Sequence, residues 1–233
     1  LQQIVLDEAR GLAEEAYAAV GDKIREIWLA TRRPIKKQSR YLEQLTQRLE
    51  DVYRAHPEFD RSESTICGFH EPTFDDILSR CREIEKDLSS PFAVFGHGDL
   101  NLDNIIYNAS EGTVHFVDLY RSGWADYCQD LSVLLVSHFR LPVFGAGTRN
   151  KLEGLMRLVW GWGESFAVET GDLTCPARLA LALARSFATS PRFTLDGGFA
   201  REMLLRARYL LKRVMVHGGG WEDFRLPFEV LIL

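Results

Sequence analysis

Glycine is scarce in the first part of the chain: before Gly96 the only glycines are Gly11, Gly21 and Gly68. That stretch therefore holds no loop of closely spaced glycines able to wrap backbone amides around phosphates. A basic excess is missing too, with 28 Lys and Arg against 33 Asp and Glu and a net charge of −5. Nucleic acid is excluded as a partner, since no surplus cation exists to neutralise its backbone. No apolar run reaches the roughly 20 residues of a membrane span, and no signal peptide opens the chain, so no membrane partner is expected. The four cysteines, Cys67, Cys81, Cys128 and Cys175, show no metal-ligand spacing. They read as reduced thiols, which implies a cytoplasmic location. There is no initiating Met, which reads as the mark of a piece cut from a longer polypeptide.

What remains is an ordinary globular balance, 46% hydrophobic and 26% charged over 233 residues. That length suits one large domain or two small ones; the expectation here is a single domain, 1–233. Within it, residues 1–90 read as leading helices, 91–121 as a loop-and-hairpin patch and 122–233 as further helices. Leu1, Val5, Leu12, Ala16, Val20, Ile24 and Trp28 recur at helical spacing. Leu42, Leu45, Leu49 and Val52 do the same until His56-Pro57. Residues 58–71 show no period and read as a loop. Thr73 is a plausible N-cap for a third helix carrying Ile77, Cys81, Ile84 and Leu88 on one face. The short β-favouring runs are Phe92–Phe95, Ile105–Tyr107 and Val114–Val117, the last two joined by turn residues 108–113. Helices return at roughly 126–138, 149–169, 175–189 and 198–216. The fold class is α+β, mainly α.

The stretch FGHGDLNLDNIIYN, 95–108, concentrates the chemistry. It places His97, Asp99, Asn101, Asp103 and Asn104 between two apolar patches, and Asp118 follows at the end of the next hairpin. A carboxylate at such a corner can take a proton from a hydroxyl. An amide oxygen and a second carboxylate are hard donors of the kind Mg²⁺ prefers. That combination suits phosphoryl transfer, where the protein mainly positions reactants and handles charge.

His97-Gly98-Asp99-Leu100-Asn101-Leu102-Asp103-Asn104 resembles the catalytic loop of the aminoglycoside phosphotransferase and choline kinase families, small-molecule kinases of protein-kinase-like fold. The protein-kinase form is H-R-D-L-x-x-x-N followed by D-F-G. Here His, Asp, Leu and Asn keep their spacing, Gly98 replaces Arg, and Asp118-Leu119-Tyr120 stands in for D-F-G.

The resemblance implies a protein-kinase-like C-terminal lobe, helical, with the catalytic loop on a small β-hairpin. Asp99 would be the base. Asn104 and Asp118 would hold Mg²⁺ on the phosphates of ATP or GTP, and His97 and Asp130 would support the loop. It implies transfer of the γ-phosphate to a small hydroxyl-bearing substrate. It also implies an N-terminal lobe, absent from this chain, with a strand Lys that grips the phosphates. Gly98 and the lack of A-P-E argue against a phospho-switched protein kinase.

Other readings compete. A non-catalytic pseudokinase or interaction module would keep the loop without turnover. A metal hydrolase would use His97, Asp99 and Asp118 as ligands, but needs a further His or carboxylate cluster that spacing does not reveal. Arg121 follows the Asp118 triplet, and a phosphate contact and a surface ion pair are equally open. RRPIKK, 32–37, reads as a solvated inter-helix loop. His115 reads as a partly exposed strand residue, while His138 and His217 sit at helix ends, where a cation suits the dipole. Trp160 and Trp162, two apart, cannot share a helical face, so one is expected to pack and the other to lie at a surface or pocket. Glu164, Glu169, Asp196 and Glu202 read as solvated charges.

Overall fold

The computed structural model describes residues 1–7, 10–59, 64–66, 68–141 and 145–233. Among these, leaving aside two-residue strands and short 3-10 turns, the chain begins with α1 (Gln2–Asp7), α2 (Arg10–Thr31) and α3 (Tyr41–Ala55). Next come β1 (Ser64–Ile66), β2 (Phe69–Glu71) and α4 (Phe74–Glu85). The central strands are β3 (Val94–Gly96), β4 (Ile105–Asn108), β5 (Thr113–Phe116) and β6 (Gly123–Ala125). The chain then runs through α5 (Cys128–Ser137), α6 (Ala146–Thr170), α7 (Cys175–Thr189) and α8 (Gly197–His217). The protein is mainly helical with small sheets, an α+β chain. No described helix is long and apolar enough to cross a membrane.

The chain folds as two compact units that alternate along the sequence. The first takes Leu1–Lys37, Ser90–Cys175 and Pro227–Leu233, and holds the whole 95–130 segment. Its core forms where the apolar stripe of α2, with Val20, Ile24 and Trp28 buried, meets aromatic side chains from later segments. Trp28 lies 5.3 Å from Tyr127 and 5.1 Å from Phe166 between ring centroids, in tilted geometry that favours edge contacts. The Tyr127 hydroxyl donates to Asp172 at 2.8 Å, so its polar tip is satisfied inside that cluster. Two antiparallel ribbons lie in this unit. β3 pairs with β6 through Val94 opposite Ala125 and Gly96 opposite Gly123. β4 pairs with β5 from Ile105 opposite Phe116 to Asn108 opposite Thr113.

The second unit takes Gln38–Ser89 and Pro176–Leu226. In α3, Tyr41, Leu42, Leu45, Leu49 and Val52 are the buried face, as the spacing predicts. Its first-turn amides have no cap from their own flank. Glu85 at the end of α4 supplies one, accepting from Tyr41 N at 2.7 Å and Leu42 N at 3.2 Å. Burial raises the Glu85 carboxyl to about 6, against the pull of those two amides. Thr73 caps α4 in a reciprocal box with Asp76, and Asp196 caps α8 through Gly198 N and Phe199 N.

Several expectations change. The stretch 58–71 is not all loop: β1 and β2 pair as a hairpin, Ser64 opposite Glu71. Cys67 and residues 60–63, assigned to that loop, lie outside the described residues. The basic cluster 32–37 is exposed along its length between α2 and α3, as expected, and in addition Arg33 exchanges both backbone hydrogen bonds with Ala93, at 2.8 and 3.0 Å. Its guanidinium lies 3.5 Å from the Trp124 ring centroid.

His138 is not a helix-end cation. It is fully buried, and burial lowers it to about 4. Its Nδ1 faces the carbonyls of Leu134 and Leu135, so that nitrogen carries the proton and Nε2 accepts from the Tyr17 hydroxyl at 2.5 Å. Both tryptophans pack, Trp160 edge-on to Phe228 and Trp162 against Tyr17. Glu169, Asp196 and Glu202 are engaged by Arg25, the α8 cap and Arg206 respectively.

Candidate active site

β3 ends at Gly96 and β4 begins at Ile105, so residues 97–104 bridge two strands of different ribbons. Such a bridge has no ladder to satisfy its amides, and side chains do so instead. The Asp130 carboxylate, in the first turn of α5, accepts from His97 N through Oδ2 and from Gly98 N through Oδ1, each at 2.8 Å. Asp130 is 2% exposed, so these are charge-assisted bonds in a dry setting. Gln129 Nε2 donates to Gly98 O at 3.2 Å and the Ser122 hydroxyl to His97 O at 3.3 Å.

His97 links the loop to the hairpin. Its Nε2–H donates to Val117 O at 2.9 Å, which leaves Nδ1 as the acceptor for Asp99 N at 3.3 Å. Val117 N in turn donates to Asn104 O at 3.1 Å. The residue immediately before Asp118 is thus tied to both ends of the loop. Asn104 is buried and donates its Nδ2 to Asp99 O at 2.9 Å, so its Oδ1 is the atom left for another partner. Asp118 is exposed and adopts φ 60, ψ 53, the one described non-glycine residue at positive φ. Asp tolerates this left-handed region better than most residues, yet the conformation is uncommon and concentrates at functional sites.

Asp99 is the loop's half-buried carboxylate, 25% exposed at the side chain. Arg121 Nη1 reaches its Oδ2 at 3.2 Å, and Asn101 Nδ2 stands 3.5 Å from its Oδ1. Gly98 makes the Arg121 approach feasible. It sits at φ +82, and a Cβ there would meet the Arg121 carbonyl oxygen at 2.3 Å. Sequence reading found the loop residues, but it did not find Arg121 as a partner of Asp99. No local pattern announces a contact between residues 22 positions apart.

Asp99, Asn104, His97 and Asp130 are joined by these bonds, and Asp118 adjoins them through Val117. The amide oxygen of Asn104 and the exposed carboxylate of Asp118 are hard oxygen donors, the chemistry that Mg²⁺ prefers alongside waters and phosphate oxygens. Among the described residues, no three of His, Cys, Asp and Glu gather to hold a metal ion.

A cleft of about 360 Å³ lies beside the loop, with Ile24, Trp28, Phe95, Leu100, Phe116 and Leu119 in its wall. His97 and Asp130 border it, but Asp99, Asn104 and Asp118 do not.

The ecdysteroid kinase-like family model matches residues 12–147, more than half of the chain and the entire loop-to-Asp130 arrangement. The chain belongs to this family. The family is part of the protein-kinase-like superfamily, which agrees with the superfamily expected from the loop. The match is to the ecdysteroid kinase-like family, and neither aminoglycoside phosphotransferase nor choline kinase specificity follows from it. No curated protein matches the sequence.

Proposed function

We propose that this member of the ecdysteroid kinase-like family transfers the γ-phosphate of ATP or GTP to a hydroxyl of a small molecule, with Asp99 as the base. The observation that carries this reading is the bond set around 97–104. Buried Asp130 holds the His97 and Gly98 amides of the loop that carries the Asp99 carboxylate, beside an amide whose oxygen is left over and an exposed second acid. Asp99 would accept the acceptor's proton, while Asn104 and Asp118 would hold Mg²⁺. The ion supplies charge neutralisation on the phosphates. The chain's own residues orient the hydroxyl, fix the base and keep the loop rigid.

The motif's likeness to aminoglycoside phosphotransferases and choline kinases suggests amino alcohols and aminoglycosides as acceptors to assay. The family's name adds ecdysteroids to that panel. A cytoplasmic setting suits the reading, since nucleotide triphosphates are abundant there.

An N-terminal lobe is proposed to complete the nucleotide grip. Ile106, Val117, Leu119 and Tyr120 support this, because these apolar side chains stand exposed next to Asn104 and Asp118. Exposed apolar side chains beside the proposed metal ligands suit coverage by a base and by a second lobe.

The test is thermal stability of the full-length polypeptide with Mg²⁺ and ATP or GTP. A ligand that binds only the folded state must raise the melting temperature. The expected result is a saturable rise that disappears without Mg²⁺ and is sharply reduced by Asp118→Asn. No rise with either nucleotide would overturn the reading and favour a non-catalytic module.

A further inference from the structure

A carboxylate serving as a base must present one oxygen to the incoming hydroxyl. Left alone it does not, because the second side-chain torsion of Asp is broad and roughly two-fold. In this structure the two oxygens of Asp99 are distinguished. Oδ2 takes a hydrogen bond from Arg121 Nη1 at 3.2 Å, while Oδ1 has only the long 3.5 Å approach of Asn101 Nδ2.

Arg121 is built into this position from several directions. It closes the 3-10 turn Leu119–Arg121 that starts from the left-handed Asp118. Its backbone nestles against Gly98, where no side chain would fit. Its guanidinium carbon lies 5.0 Å from the centroid of the neighbouring Tyr120 ring, which narrows the directions the side chain can take. An arginine also suits the task chemically. It stays charged at any working pH and offers donors only, so it steers a carboxylate without competing for the proton.

We propose that Arg121 is a positioning residue for Asp99, holding Oδ2 so that Oδ1 is the oxygen offered to the acceptor hydroxyl. This role rests on the phosphotransferase reading above. Because Arg121 lies three residues after Asp118, the same contact ties the base to the segment that carries the second metal ligand. The base and that ligand then hold a fixed spacing. The cation missing from position 98, where protein kinases carry Arg, arrives from across the loop.

The experiment measures ADP release from Mg²⁺-ATP by the full-length polypeptide, together with the melting temperature of each variant. Misplacing a reacting group by about 1 Å lowers rate on the order of 10²-fold. Arg121→Ala should therefore reduce turnover roughly 10- to 100-fold, with KM for ATP within about twofold of wild type. Arg121→Lys, which keeps charge but not the planar fork, should recover part of the loss.

Combining Arg121→Ala with Asp99→Asn should add nothing to Asp99→Asn alone, as for residues acting through one another. Unchanged turnover in Arg121→Ala, or a loss that adds fully to that of Asp99→Asn, overturns the proposal. Full turnover in Asp99→Asn removes Asp99 as the base, on which this inference rests, while nucleotide-dependent turnover itself would stand. A readout independent of catalysis is the ¹⁵N–¹H spectrum of the Arg121 guanidinium. Asp99→Asn should shift its signals, and signals that stay in place overturn the inference whatever the activity.

Discussion

Gly98 and Arg121 meet backbone to backbone: a single carbon added at residue 98 would lie 2.3 Å from the Arg121 carbonyl oxygen. Gly98 also sits at φ +82, a region costing a side-chain-bearing residue about 1–2 kcal/mol. Strain and clash act at the same place, so Gly98→Ala should destabilise the protein by at least about 2 kcal/mol. It should also lower turnover by moving Arg121 off Asp99. Denaturant midpoints with an unchanged slope would record the stability loss. A variant as stable and active as wild type would show that the loop and the 119–121 turn move apart easily.

Asp130 contributes differently. Its carboxylate uses both oxygens on consecutive amides, His97 N and Gly98 N. Asp130→Asn replaces one acceptor with a donor facing an N–H. The resulting loss should be roughly 2–4 kcal/mol, larger than for an ordinary neutral hydrogen bond. Turnover should fall with it, and chemical denaturation beside a rate measurement checks both. A change below 0.5 kcal/mol would mean that the loop is held by other contacts.

Glu85 gives a pH signature in the second unit. Its carboxyl sits at about 6, raised from 4.5 by burial. Between those values the folded chain keeps a proton that the unfolded chain has released. This contribution is therefore fully present below pH 4.5 and is lost as pH rises through 6, about 2 kcal/mol in all. Glu85→Gln retains an acceptor for Tyr41 N and Leu42 N without the charge. The stability difference between variant and wild type should shift in the variant's favour from pH 4.5 to pH 6.5. A flat difference across that range would contradict the buried-carboxylate account.

His138 behaves in the opposite sense. Burial lowers it from 6.5 to about 4. The unfolded chain takes up a proton near pH 6.5 that the folded chain refuses until pH 4. Its contribution is full above 6.5 and lost on acidification through 4, about 3 kcal/mol. Ring-carbon NMR should show His138 neutral down to roughly pH 4. A midpoint near 6.5 would show that the Tyr17–His138 contact is open to water.

The local signals were readable wherever a period or a cap operates. The α3 face, the Thr73 cap and the 105–116 hairpin were all legible, because each is decided by residues within one or two turns of each other. The starts of α5–α8 fell within a few residues of expectation. The β1–β2 hairpin was not legible: two three-residue strands around Gly68 give no alternation to count. The His138 environment was misread because its partner Tyr17 is 121 positions away. Two units alternating along one chain likewise leave no mark in composition. In the site, the resemblance of the loop to a kinase catalytic loop pointed to Asp99, Asn104, Asp118, His97 and Asp130, and hydrogen bonds join His97, Asp99, Asn104 and Asp130. The contact of Arg121 with Asp99 depends on a backbone approach through Gly98 that only three dimensions reveal.

In the proposed reaction Asp99 takes the proton from an acceptor hydroxyl while other residues bind the nucleotide. The decisive comparison is Asp99→Asn against wild type in one full-length polypeptide, with Mg²⁺-nucleotide binding followed by thermal shift and turnover by ADP release. The account predicts an unchanged nucleotide-induced shift and a turnover lower by roughly 10²- to 10⁴-fold. Undiminished turnover in a variant that folds and binds nucleotide normally would contradict it.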